Sequence, residues 1–432
     1  MNKAPENGLS ARLRAGTFSR LGPGLITGAA DDDPSGIATY SQAGAQFGFH
    51  LLWTMVLTFP LMVSVQMISA RIGRVTGRGL AYNMCKVMPR GLVLGLVALL
   101  FLANTINIGA DLAAMGEAAE LVLDSWSPWA GHGFTIFFAL LSLGLQLFVS
   151  YKRYARLLTV LTFSLLAYVA VLFLLKLDWS AIGAGMIGLD AALTPAAATV
   201  IVAVFGTTIS PYLFFWQSAQ EVEEIAHDDT QHPLASAPRE APEALRDIRI
   251  DTVAGMFVSN AIALAIMIAT AATLHQAGIT RIDTAAQAAQ ALRPVAGDFA
   301  FTLFALGIIG TGMLAVPVLA GSVAYAVGET EGWRTGLDNM PWQAKGFYGV
   351  IGAAVLLGIG IDFSPIDPFE ALYWSAVLNG LIAVPMMAAM MFVAHDRCMG
   401  KFCPGPWLTR LGWLSTGVMA AAAITMIVIA FL

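Results

Sequence analysis

Eleven mostly apolar runs divide the chain, at roughly 21–47, 50–72, 91–123, 132–150, 155–177, 194–226, 248–275, 297–327, 344–361, 369–394 and 409–431. Each approaches or exceeds the ~20 residues that a helix needs to cross a bilayer. Open sheets would leave backbone groups unpaired in hydrocarbon, so helices are the expected elements. Two runs are broken mid-length by a proline among small polar residues. The first breaks at Asp33-Pro34-Ser35-Gly36 and the sixth at Thr207-Thr208-Ile209-Ser210-Pro211. Proline removes a backbone donor and strains the preceding turn. The two breaks lie five runs apart, so each opens a five-helix unit, and an odd-numbered unit inverts its copy. The pattern therefore predicts an all-α polytopic membrane protein of about eleven transmembrane helices. Its inverted repeats cover 21–177 and 194–394, with the helix at 409–431 outside them.

The polar stretches between the runs complete this outline. Residues 1–20 are polar and basic, lack the apolar core of a signal peptide, and read as a cytoplasmic tail. The stretch 228–247, with Pro233, Pro238 and Pro242, reads as a mobile inner loop. Between His275 and Asp298 an Ala/Gln-rich middle reads as a short surface helix.

Composition agrees with lipid as the solvent: 57% of the 432 residues are hydrophobic and 12% charged, against about 25% charged in soluble domains. With the N-terminus inside, 20 of the 23 Lys and Arg fall on inner segments, leaving Lys176, Arg281 and Arg293 outside. That asymmetry sets the expected orientation, with a cytoplasmic N-terminus in a bacterial inner membrane. Cys85, Cys398 and Cys403 all fall in inner segments and read as ordinary reduced thiols. The sequence contains no Gly-x-Ser-x-Gly or His-Glu-x-x-His pattern, and no basic patch beyond the inner loops. An enzyme and a nucleic-acid binder therefore rank low.

An unwound helix exposes carbonyls without intrahelical partners, and a carboxylate beside them makes a cation site. Carboxylates inside a membrane are expensive and mark function by default. Asp33, immediately before the proline, is the natural ligand. Asp31 and Asp32 project to other sides of the turn, where at least one is expected to face a watery vestibule. Paired discontinuous helices in inverted repeats are where carriers place substrate. Asp111, in the third run, is either a proton carrier or a structural carboxylate. Glu221, Glu223 and Glu224, at the end of the sixth run, read as a solvated acidic helix end, with attraction of cations at an exit vestibule as the alternative. His50, His132, His275 and His395 fall at run ends or in loops and read as surface groups.

These residues resemble the Nramp metal transporters. The likeness lies in Gly22-Pro23-Gly24, Asp33 to Thr39, Gln42-Ala43-Gly44-Ala45 and Leu51-Leu52-Trp53, and extends to Ala110-Asp111-Leu112-Ala113, Gly206 to Ser218 and Leu319-Ala320-Gly321. The resemblance implies a LeuT-type fold and an ion held by Asp33, by position 36, by the Thr207 carbonyl and by position 210. At several places this chain departs from the family's pattern. Gly36 stands for the family's Asn, Ser210-Pro211-Tyr212 for Met-Pro-His, Gln217 for a second histidine, and Ala114 for a glutamate. Ser210 replaces a thioether by a hydroxyl, and Tyr212 and Gln217 border the site. Thioethers select soft metals, whereas carboxylate, carbonyl and water suit magnesium, calcium and manganese. Smaller side chains leave room for water, which magnesium gives up reluctantly. The pattern is similar to the Nramp-related magnesium transporters.

The expectation is a carrier that imports divalent cations by alternating access, with oxygen-only, partly hydrated coordination of Mg2+ and/or Mn2+ and weak or absent proton coupling. A proton-coupled Mn2+/Fe2+ symporter is the alternative within the family. A sodium-coupled organic solute carrier is the alternative outside it. No cofactor beyond the transported ion and no obligate protein partner are expected.

Overall fold

The computed structural model describes residues 27–28, 30–123, 130–149, 163–188, 194–227 and 231–431. The tail 1–20, the start of the first run, the start of the fifth with Lys152, Arg153 and Arg156, and the Cys398 side chain lie outside the described residues. Among the described residues there are helices and no strands.

The elements are α1 (Pro34–Phe47), α2 (Trp53–Thr76), α3 (Leu80–Val87), α4 (Arg90–Leu123), α5 (Ala130–Phe148), α6 (Leu166–Leu174), α7 (Trp179–Ile187), α8 (Pro195–Thr208) and α9 (Pro211–His227). They continue with α10 (Ala241–Thr270), α11 (Ala285–Ala289), α12 (Ala300–Glu331), α13 (Lys345–Asp362), α14 (Pro368–Ala394) and α15 (Pro406–Ala430). Nine helical stretches among the described residues are long and apolar enough to cross a membrane, with α8 and α9 together forming one of them. The broken first helix and Phe163–Leu174 account for the other two expected runs.

The long α4 is the central pillar and packs on α12, α13, α14 and α5. The α8 and α14 helices meet through glycines: a Cβ on Gly206 would press into the Ala376 carbonyl and come within 2.7 Å of the Gly380 Cα. Small residues let backbones approach where lipid supplies no hydrophobic drive between helices. Large apolar side chains such as Phe137, Leu140, Leu356, Phe392 and Ile424 point outward, as a lipid-facing surface requires.

The inner loop departs from expectation. Helix α10 starts at Ala241, seven positions before the expected 248, after a single turn at Pro238–Glu240. Pro242 falls in its first turn, where a missing N–H has no partner to lose. The residues before it are tethered to the end of α2: Leu234 N–H donates to the Arg74 carbonyl (3.2 Å), Ala235 N–H to the Val75 carbonyl (3.1 Å), and Arg74 to Gln231 Oε1 (2.6 Å). The short helix expected between 275 and 298 is α11, but Ala288, Ala289 and the following Ala291 are buried rather than on the surface.

Candidate metal-ion site

Asp33 ends one half of the first helix and starts the other. Thr27, Gly28, Ala30 and Asp31 are helical, Asp32 bends, and Asp33 is extended at φ −69°, ψ 170°. Its Oδ1 accepts from Gly36 N–H (2.8 Å) and the Ser35 hydroxyl (2.6 Å), capping α1, while Pro34 occupies the first turn. Capping by a side-chain oxygen satisfies a donor that a helix start leaves unpaired. The local sequence thus both breaks the helix and restarts it.

The sixth helix breaks opposite. After Thr208 the chain turns through Ile209 (φ −119°, ψ 57°) and Ser210, and Pro211 opens α9. The two breaks meet: a Cβ on Gly36 would lie 3.2 Å from Thr207 Oγ1, and Tyr40 and Thr208 share a hydrogen bond of 3.1 Å between their hydroxyls. Thr207 Oγ1 is buried without a partner among the described residues. It is therefore the Thr207 hydroxyl, beside the expected carbonyl, that faces Gly36. The Ser210 hydroxyl turns back on its own helix, 2.8 Å from both the Gly206 and the Thr207 carbonyl, and donates to one of them at a time.

Asp33 Oδ2 looks across to α4 and α9. It accepts from Asn107 Nδ2 (3.0 Å) and from the Tyr212 hydroxyl (3.4 Å), which also reaches the Ala30 carbonyl (3.2 Å). Ser375 on α14 donates to Asn107 Oδ1 (2.6 Å). One turn further, Asn379 is buried with neither amide atom partnered among the described residues. Asp111, one turn on from Asn107, is fully buried, and neither of its oxygens finds a partner there. Gln217 lies on α9, accepting from Thr27 (2.5 Å) and donating to Glu221 (3.4 Å).

Structure corrects two expectations here. Asp31 and Asp32 are both buried, at 0% and 4% exposed, because Ser259 on α10 packs against them, with its hydroxyl 2.7 Å from Asp31 Oδ2 and 3.0 Å from Asp32 Oδ1. Neither faces a watery vestibule. Glu221 is likewise buried, and Glu223 accepts from the Tyr325 hydroxyl and from Leu337 N–H (2.9 Å). The acidic end of α9 is packed against α12 and the segment after it, where the sequence reading put it in solvent.

A polar cavity of about 440 Å³ opens at the opposite end of the bundle from Lys86 and Arg90. Glu117, Glu120, His132, Asp362 and Asp367 line it. His132 pairs with Asp362 at 2.7 Å, so this histidine braces a carboxylate. Burial pushes the Asp367 carboxyl up, against the pull of the Phe369 and Glu370 N–H groups. Glu117 stands six residues beyond Asp111 on α4, about 9 Å along the axis. An acidic mouth of this kind concentrates cations.

Sequence reasoning missed Asn107, Ser375, Asn379 and Ser259. The signal was present, since an amide in an apolar membrane run is as conspicuous as a charge. Among the described residues no group of three or more His, Cys, Asp or Glu is placed to hold a metal.

The chain matches the family model described as natural resistance-associated macrophage protein-like over residues 24–429. It is 28% identical over 426 residues to the divalent metal cation transporter MntH of Klebsiella pneumoniae, covering 96% of this chain and 95% of that protein. With the MntH of Aeromonas hydrophila it shares 30% identity over 404 residues, covering 91% of each. Among solved structures, a mutant manganese transporter of Eremococcus coleocola aligns with a TM-score of 0.73 at 17% identity, covering 98% of this chain and 88% of that one. MhsT in complex with L-phenylalanine aligns with a TM-score of 0.59 at 13% identity, covering 95% and 98%. At these identities the structural likeness speaks for the fold.

Proposed function

We propose, from the premise that this chain belongs to the Nramp family, that it imports divalent metal cations by alternating access, with a preference for hard ions. The family's members are transporters, so the chain is a membrane metal-ion transporter of LeuT-type fold and no enzyme. In this reading the ion binds between the two helix breaks. Asp33 supplies the charge, Thr207 supplies a carbonyl or hydroxyl, the Gly36 backbone supplies space and an oxygen, and Ser210 rotates its hydroxyl toward the ion.

The observation that carries the preference is the donor set at the meeting of the breaks: one carboxylate, hydroxyls and amides, with Ser210 rather than a thioether on the sixth helix. Oxygen donors fit Mg2+ or Mn2+ better than soft metals. A single carboxylate leaves positions for retained water, which suits Mg2+. The acidic mouth lined by Glu117 and Glu120 collects ions, and Asp31, Asp32 and Ser259 brace the broken helix. The two five-helix repeats rock about this point, in a bacterial inner membrane with the N-terminus in the cytoplasm. Three buried aspartates beside the break disfavour an organic substrate carrying a carboxylate.

A second reading, proton-coupled symport, draws on Asp111, a buried carboxyl without a hydrogen-bond partner among the described residues, one turn from Asn107. Gln217 cannot carry protons as a histidine does, and its amide is occupied by Thr27 and Glu221, which favours weak or absent coupling. Uptake into proteoliposomes tests both readings, with Mg2+, Mn2+, Ca2+ and Cd2+ competing and internal pH recorded. We expect Mg2+ and Mn2+ to compete at concentrations at or below those of Cd2+, with little acidification. Uptake dominated by Cd2+, accompanied by one or more protons per ion, overturns the proposal.

A further inference from the structure

The Asn107 side chain is held at both ends, and the way it is held permits two orientations. Its Nδ2 donates to Asp33 Oδ2 at 3.0 Å, and its Oδ1 accepts from Ser375 Oγ at 2.6 Å. Ser375 Oγ also lies 2.7 Å from the carbonyl of Leu372, one turn back on α14. A hydroxyl carries one hydrogen, so Ser375 serves only one of these two oxygens at a time. If the amide turns over, its NH2 donates to Ser375 Oγ and the serine hydrogen goes to Leu372, so all three groups are satisfied. The reversed amide then directs Oδ1 at Asp33. That is unfavourable while Asp33 stands alone, because two acceptors face each other. With a cation between them it becomes favourable.

The spacing agrees. Oxygens bound at about 2.1 Å in adjacent positions of an octahedral shell lie ~3.0 Å apart, the present separation of Asn107 Nδ2 and Asp33 Oδ2. Both Asn107 and Ser375 are buried, at 0% and 1% exposed, so bulk water does not compete for the amide.

We infer that Asn107 is a reversing amide ligand: its NH2 holds Asp33 in the empty site, and its carbonyl oxygen joins the divalent ion, or one of its waters, in the loaded site. In this role α4 supplies the amide oxygen that position 36, a glycine here, lacks on the first helix. The inference rests on the site reading above and makes Asn107 a determinant of ion affinity.

Titration calorimetry of purified protein with MnCl2 and MgCl2 tests it in three variants checked for folding by size exclusion. Asn107→Leu removes both amide groups, and its affinity should fall tenfold or more. Asn107→Asp keeps an oxygen and loses the donor, and its affinity should stay within threefold or tighten. Asn107→Ala replaces the leucine variant if that one does not fold, with the same expected loss. Wild-type affinity in Asn107→Leu overturns the inference, because the amide then touches only the empty site. Parallel losses of more than threefold in the Leu and Asp variants also overturn it, since donation to Asp33 is then the whole role. Asp33→Ala is the control arm: retained affinity there overturns the site reading itself, whereas loss there with an indifferent Asn107→Leu overturns only this inference.

Discussion

Replacing Asp33 separates its structural role from its role toward the ion. Four donors converge on this carboxylate: the Ser35 hydroxyl at 2.6 Å, Gly36 N–H at 2.8 Å, Asn107 Nδ2 at 3.0 Å and the Tyr212 hydroxyl at 3.4 Å. The hydroxyls can rotate to other acceptors and the Asn107 amide can turn over onto Ser375, but the Gly36 N–H is fixed. A buried N–H left unsatisfied costs about 1–3 kcal/mol. Asp33→Ala orphans the Gly36 N–H and should destabilise by about 1–3 kcal/mol on that basis. Asp33→Asn retains an oxygen for Gly36, and a reversed Asn107 amide accepts from its NH2, so a loss of about 1 kcal/mol or less is expected.

Toward the ion the two variants should behave alike. A unit charge pair at 4 Å is worth roughly 4 kcal/mol at an effective dielectric of 20. Affinity for Mn2+ should therefore fall by about a hundredfold or more in both. Thermal unfolding in detergent reads the first effect and calorimetry the second. If Asp33→Asn binds Mn2+ as the wild type does, or if the Ala variant melts no lower than the Asn variant, the assignment of roles to Asp33 is wrong.

Ser210→Met returns a thioether to the sixth-helix break and should raise Cd2+ affinity relative to Mg2+ by about tenfold or more. Competition binding reads that ratio, and an unchanged ratio removes the ligand argument. Gly206→Ala forces a methyl group into the backbone of α14 at Ala376 and Gly380. Overpacking of this kind costs about 1–3 kcal/mol, so the melting temperature should drop while ion selectivity among folded molecules is unchanged.

Much of the architecture was legible because lipid imposes a coarse rule: long apolar runs, separated by polar joints, have few alternatives to membrane helices. The breaks were legible for the same reason, since Pro34 and Pro211 stand among small polar residues where the surrounding runs are apolar. What could not be read was where tertiary contacts send a polar side chain. Asp31 and Asp32 look like vestibule groups until Ser259, more than two hundred positions away, is placed against them. Glu221 and Glu223 close the sixth run and read as a solvated acidic helix end, yet α12 and the Leu337 backbone cover Glu223. Prolines 238 and 242 signalled a loop, whereas Pro242 starts a helix, because the same residue breaks a helix interior and favours its first turn. Asn107 and Ser375 carried a signal of their own, as polar residues in apolar runs. Only the fold shows that they meet at Asp33.

The central claim is a divalent ion held where the two broken helices meet. Anomalous scattering from Mn2+ in crystals of the loaded protein measures this directly. The account predicts a peak between Asp33 and Thr207, within about 2.0–2.6 Å of an Asp33 oxygen, the range of hard-cation bonds to oxygen. A peak at the Asp31–Asp32–Ser259 cluster or in the acidic mouth, with none beside Asp33, would contradict it.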